Sequence, residues 1–395
     1  MSKRVYLILF IVLCFAAWRV RFLPYFSHNV LLVLQVLFLL WGYIHWSKIE
    51  ANKFGKGYLG VFTCIVLGIV LSMIPAWLYY EQGFGTSVIA YRRQILWLTI
   101  PVLLRIAPSA DDIVGAVKVI VLLIWGVLLM RMLAPGMLYV NADALKESQE
   151  TGYYGYIIGF TLAVIPLYYS VERVLSNGLG SKKDIFWIVV CFALLFVMRN
   201  RSLLFASSVV ILISILRMPS RNKPIIIFLA VLVVGLFLSA TYDIWMALLS
   251  RTQMDLSNED YNRNVAYTYF LTEANQHFLQ YFLGHGYISS HVSSLVENLQ
   301  LMGIYNSDVG FVGFWNEYGI LPIIAFIYMS LRAMFDKAVP SYVGMIGLTI
   351  LLCAPTISYF GHISHALMFM LMYILVCNYQ YQSSLESECN TIDEE

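Results

Sequence analysis

The sequence predicts an all-α, polytopic membrane protein of about 12 transmembrane helices with one large external loop. Three observations carry this. Hydrophobic residues make up 60% of the 395 positions and charged residues 12%, about half the charged fraction of an ordinary soluble domain. The apolar residues come in blocks of membrane-spanning length. One polar segment, 241–307, is far longer than any other break. The net charge of +2 is too balanced for nucleic-acid binding, so no nucleic-acid partner is expected.

Apolar blocks between polar breaks place helices near 4–22, 29–46, 58–80, 91–107, 112–134, 153–172, 185–199, 201–217 and 224–241. Three more follow the loop, near 308–332, 340–357 and 362–380, leaving a tail at 381–395. The chain thus divides into 1–240 with nine spans, the loop 241–307, 308–380 with three spans, and the tail. The first block follows Lys3 and Arg4 and has a signal-peptide look. The spans behind it favour an uncleaved first helix. Six cysteines show neither a pairing framework nor a metal spacing.

With the N-terminus inside, 15 cations fall on inner segments and 10 on outer ones, a positive-inside bias. Nine of the ten lysines are inside, whereas nine of the ten outer cations are arginine. Arginine is the better fork for phosphate or carboxylate, so an arginine-rich outer face points to an anionic substrate there. Interfacial snorkelling is the competing explanation, above all for Arg19 and Arg21. Within the loop, 261–283 mixes aromatic and polar residues as a surface-lying helix does, and it is not low-complexity.

Several polar motifs could carry chemistry. Arg199-Asn200-Arg201-Ser202 interrupts an apolar run. Its two arginines form either a diphosphate clamp or a tight turn whose side chains reach the interface. Asn262-Arg263-Asn264 leads into a helical stretch that includes Glu273, and both charges could be simply solvated. In Leu283-Gly284-His285-Gly286-Tyr287, the glycines permit close backbone approach around a histidine that could also be incidental to a turn. Asn306-Ser307-Asp308 enters the next span, where Asp308 is either a helix cap or a proton acceptor. Glu317 lies deeper and should face a cavity or a cation. Arg92 and Arg93 open a span and are candidates for a second anion contact. Gly361-His362-Ile363-Ser364-His365 reads as a hairpin. No phosphate-binding glycine loop or metal-ligand spacing occurs, so no cofactor or metal is expected.

In their order, the arginine turn 199–202, the loop motifs Asn262-Arg263 and Leu283-Gly284-His285-Gly286-Tyr287, and the closing Asn306-Ser307-Asp308-Val309-Gly310-Phe311 and Tyr318-Gly319 resemble the bacterial O-antigen and capsule polymerases and the related O-antigen ligases. The resemblance covers about the C-terminal half of the chain. Ligases usually carry a His-Asn pair where this chain has Ser307-Asp308, which is commoner in polymerases. The resemblance implies a C-type glycosyltransferase architecture in the bacterial inner membrane. It also implies donor and acceptor glycans on polyprenyl diphosphate at the periplasmic face, among membrane lipids, with a chain-length regulator and a flippase as candidate protein partners. Arg201, Arg263 and Asp308 are then the expected catalytic residues, and Arg199, Arg92, Arg93, His285, Glu273 and Glu317 the expected substrate contacts. A ligase, or a multi-span transporter, is the alternative.

Overall fold

A computed structural model describes residues 1–20, 27–46, 56–134, 137, 157–177, 181–198, 200–217, 262–289, 298–299, 301–302, 304–359 and 362–392. The expected span 224–241, Arg199 and much of the expected loop lie outside the described residues.

The described residues form an all-helical bundle. Its α-helices are α1 (Lys3–Cys14), α2 (His28–His45), α3 (Lys56–Leu71), α4 (Met73–Tyr80), α5 (Phe84–Ala90), α6 (Thr99–Ile106), α7 (Ala110–Leu133), α8 (Val164–Asn177), α9 (Lys182–Val197) and α10 (Arg201–Arg217). They continue as α11 (Asn262–Thr268), α12 (Phe278–Leu283), α13 (Gly310–Tyr318), α14 (Ile320–Phe335), α15 (Ser341–Cys353) and α16 (Ile363–Ile392). Among the described residues, three stretches are long and apolar enough to cross a membrane: Leu59–Tyr80, Ala110–Leu133 and Ile363–Leu385. Shorter apolar helices include Asn29–His45, Ile320–Phe335 and Ser341–Cys353. Large apolar side chains such as Leu37, Ile44, Leu122, Phe205 and Ile324 lie exposed on helices, as they do in proteins embedded in a membrane.

Several expected continuous spans are broken. The 308–332 block divides at Gly319, whose φ of +76° no helix interior tolerates. The 91–107 block is 3₁₀-helical over Tyr91–Leu98 before α6 begins. In 4–22 the α-helix ends at Cys14, with Ala16 and Trp18 at positive φ and the Trp18 indole donating to Ile158 O at 2.8 Å. Average hydropathy does not register these breaks.

The core is centred on α16. Its residues from Ala366 to Cys377 are almost wholly enclosed, and 78% of its apolar window is buried, against 44% and 50% for the other two long stretches. In lipid, helices gain little from hiding apolar surface and depend on close contact. Small residues supply it. Gly68 of α3 faces Pro322 of α14, and Gly347 of α15 faces Ser330 and Ala333 of α14.

Two ends of the bundle are distinct. At one end the Lys3 Nζ donates to Ala107 O at 2.8 Å, Asn378 to Pro108 O at 2.6 Å, and Tyr169 to Asp111 at 3.2 Å. Arg173 pairs with Asp184 at 3.2 Å, and Glu172 accepts from the first amides of α15. These bonds join the segments around residues 3, 107–112, 169–184, 341 and 378, all of which the charge pattern assigns to one side. Segments 80–91, 262–289, 306–311 and 353–356 are joined to one another elsewhere, by bonds described next.

Candidate functional site

The turn after α15 is a meeting point for three elements. Cys353 Sγ contacts Ser202 O at 3.6 Å, which places the start of α10 beside it. Phe311 N donates to Ala354 O at 2.9 Å, which brings in the Asn306–Val309 turn. The Tyr267 hydroxyl donates to Pro355 O, which brings in α11. Arg201, Asp308 and Arg263 belong to these three elements, so residues spread over more than a hundred positions of sequence share one neighbourhood.

Local chemistry explains each placement. Asn200 Oδ1 accepts from Leu203 N at 3.0 Å, an N-cap that starts α10 with Arg201 in its first turn. Arg263 sits one turn before Tyr267 on α11, so the bond to Pro355 also fixes the arginine's helix face. Arg263 is half-buried, and its Nε has no hydrogen-bond partner among the described residues. Asp308 is half-buried in the 3₁₀ turn, its amide donating to Tyr305 O at 3.1 Å. The N-cap position of α13 is Val309, so Asp308 is not the cap. Gly310 has φ +52°, and a β-carbon there would press against Ala354 O and Pro355. Only glycine lets the two backbones close up.

The start of α16 completes the neighbourhood. The carboxylate of Asp308 acts electrostatically on His362, whose carbonyl accepts the amides of His365 and Ala366 at 3.1 Å. The starts of α10 and α13 thus meet the turn after α15, and the start of α16 lies within the field of Asp308. Helix N-termini carry partial positive charge, and arginines add permanent cations. Positive charge of this kind suits an anion, and Asp308 is a carboxylate on one of the same elements.

A second polar cluster lies at the other end of α13. His285 N donates to Asn316 O at 2.6 Å and Gly286 N to Glu317 O at 3.0 Å, so the loop backbone pairs with the end of the helix. His285 Nδ1 lies 2.5 Å from the Tyr80 hydroxyl, and Nε2 lies 2.8 Å from Asn275 Oδ1. With the amide oriented so, Oδ1 can only accept; Nε2 then carries the proton and Nδ1 accepts from Tyr80. Burial pushes the His285 pKa down to about 4 from its ordinary 6.5. Glu317 is 8% exposed and hydrogen-bonds Tyr318, whose hydroxyl also receives Gln94 at 2.5 Å. Tyr287 N donates to the Tyr91 hydroxyl at 2.6 Å, and the Gln82 side chain bonds both Tyr287 O and Ser289 N. Arg92 and Arg93, next to Tyr91, are exposed at this cluster, and Arg92 donates to Ile89 O at 3.1 Å. Glu273 is exposed on the π-helical segment Tyr269–Glu273, where its charge acts on Tyr269.

The expected residues thus divide. Arg201, Arg263 and Asp308 lie on elements that meet the turn after α15. His285 and Glu317 join the second cluster with Arg92 and Arg93. Among the described residues no group of three or more His, Cys, Asp or Glu is placed to hold a metal ion. Sequence reasoning missed His362, taking its segment for a plain hairpin, and missed Tyr267 and Tyr80 as anchors. The two histidines of Gly361-His362-Ile363-Ser364-His365, in an apolar chain with seven histidines, were the available signal. Comparison with protein-family models finds none that matches, and comparison with curated proteins finds no match.

Proposed function

We propose that the protein is a glycosyltransferase that polymerises polyprenyl-diphosphate-linked oligosaccharide repeat units at the periplasmic face of a bacterial inner membrane. In this reading the chain crosses the membrane about 12 times, and 241–307 forms a large periplasmic loop. The observation that carries the reading is the convergence, on the turn after α15, of the three elements that carry Arg201, Arg263 and Asp308.

The chemistry follows from charge. Breaking the anomeric C–O bond releases a lipid diphosphate, so negative charge grows on the leaving oxygen. Arginines already in place stabilise that charge without reorganising. Arg201 and Arg263, together with Arg199, hold the donor diphosphate. Asp308 orients the acceptor sugar hydroxyl and accepts its proton. The second cluster stands about 13 Å away along the nine residues of α13, a span suited to the sugar or diphosphate of a second lipid-linked chain, with Arg92 and Arg93 at its surface. His285 there holds the loop in place, because both its ring nitrogens are engaged by protein groups.

The test is chain extension of purified lipid-linked repeats by arginine variants at normal abundance. Arg201→Lys and Arg263→Lys are each expected to lose about a hundredfold in turnover, since a lysine cannot reproduce a planar, preorganised fork. Asp308→Asn keeps the shape and loses the proton acceptor, and is expected to be inactive. Normal chain extension by both lysine variants would remove the diphosphate assignment.

A further inference from the structure

Behind Asp308 the bundle encloses polar groups that this chemistry does not yet use. His365 is 4% exposed and Tyr359 1% exposed. Among the described residues, neither ring nitrogen of His365 nor the Tyr359 hydroxyl has a hydrogen-bond partner. The two rings lie edge to face with centroids 5.7 Å apart. His362 lies beside them, its ring centroid 5.6 Å from that of His365. The Asp308 carboxylate acts on His362 in turn. Exposed His362, within the field of Asp308, thus adjoins a buried histidine whose ring meets a buried tyrosine.

Buried polar atoms are satisfied by protein or by ordered water, and a site with several such atoms in reach of one another is where water is held. Tyr359 can donate and accept, and each imidazole offers one donor and one acceptor when neutral. A water between these rings can bond two or three of them at once. Nearby apolar groups, Phe326 stacked on Phe369 at 4.2 Å and Phe326 against Tyr359 at 4.9 Å, close the inner side.

We propose that His362 relays the proton from Asp308 to external solvent, and that a water bound by His365 and Tyr359 holds the His362 ring for that task. The relay rests on the polymerase reading; the water site does not. As the acceptor oxygen bonds the anomeric carbon, its proton passes to the Asp308 carboxylate. The electron pair of the broken C–O bond leaves with the lipid diphosphate. The carboxyl proton then moves to one ring nitrogen of His362, and the other ring nitrogen releases a proton to water. Asp308 returns as a carboxylate, ready for the next repeat. His365 acts through His362 and is a positioning residue.

Two measurements on the full chain in membranes decide this. Hydroxyl-radical footprinting labels side chains next to bound internal water even when they are buried. Tyr359 is expected to label several times faster than Tyr373, which is equally buried on α16; equal rates would overturn the water site. Chain extension by His362→Ala is expected to fall about a hundredfold and to recover when imidazole is added to the medium, since proton transfer by a placed side chain contributes on that order. A normal rate in His362→Ala, or a low rate that imidazole does not raise, would overturn the relay. Failure of the unmodified protein to extend lipid-linked repeats would sink the polymerase reading and the relay together, while the footprint alone decides the water site.

Discussion

At the scale of single residues, glycines decide how closely the loop approaches the helices. Gly284 has φ +77°, and a β-carbon on it would lie 2.5 Å from Gly319 N and 2.7 Å from Glu317 O. Gly319, at φ +76°, would meet Phe282 O in the same way. Gly284→Ala therefore costs at least the strain of a disfavoured backbone, about 1–3 kcal/mol, before any clash is counted. Rapid proteolysis of the 275–289 segment in that variant, at unchanged helical content, is the expected result. His285 adds a pH dependence. It is neutral in the folded protein and protonates there only near pH 4, whereas a free histidine protonates near 6.5. The unfolded form thus binds the extra proton first, and the histidine's contribution to stability, complete above about pH 6.5, is lost as pH falls toward 4. Amide exchange over 275–287 is expected to speed up across that window, and His285→Gln should flatten the response. The sequence showed the glycine–histidine–glycine pattern, but not its partner. Nothing in Asn316-Glu317-Tyr318-Gly319 announces that its carbonyls are to be read by residues 285 and 286.

Among the elements, the helices were legible and their interruptions were not. Expected blocks such as 29–46, 112–134 and 201–217 reappear within a few residues as α2, α7 and α10, because sustained apolarity is a strong signal. The breaks at Ser72, Gly319 and Tyr91–Leu98 depend on single residues and on side-chain bonds such as Ser72 to Tyr91 at 2.7 Å, which no window average contains. Packing between elements is testable by a pair of glycines on one helix. A β-carbon on Gly68 of α3 would stand 2.2 Å from Pro322 Cγ of α14, whereas one on Gly60 meets nothing within 4 Å. Gly68→Leu is expected to push α3 from α14 and to lower the amount of folded protein in the membrane severely. Gly60→Leu is expected to leave it unchanged. Comparable abundance of the two would mean that α3 and α14 do not pack through this contact. The candidate site belongs to this scale too. Arg201, Arg263 and Asp308 stood out singly in the sequence, yet their assembly depends on Tyr267 and on the carbonyls of Ala354 and Pro355, backbone groups with no sequence signature.

For the whole molecule, the segments bonded together around Lys3, Ala107, Asp111 and Asn378 lie at the opposite ends of α15 and α16 from the candidate site. The topological prediction is direct. In intact cells stripped of their outer membrane, Thr272→Cys, on the exposed face of the loop, is expected to react with an impermeant thiol reagent. Ser383→Cys, on the exposed end of α16, is expected to react only after lysis. The reverse pattern would put the site in the cytoplasm and exclude a periplasmic polymerase. The break at Gly319 also bears on how the protein is made. The end of α13 has its carbonyls at Asn316 and Glu317 answered by amides of residues 285 and 286, which emerge from the ribosome some thirty residues earlier. Residues 285 and 286 are thus made before the helix end that they answer, and the pairing satisfies polar backbone that lipid would otherwise penalise. Translation order and the fold agree, and the two halves of this pairing are expected to resist separation into independently inserted fragments.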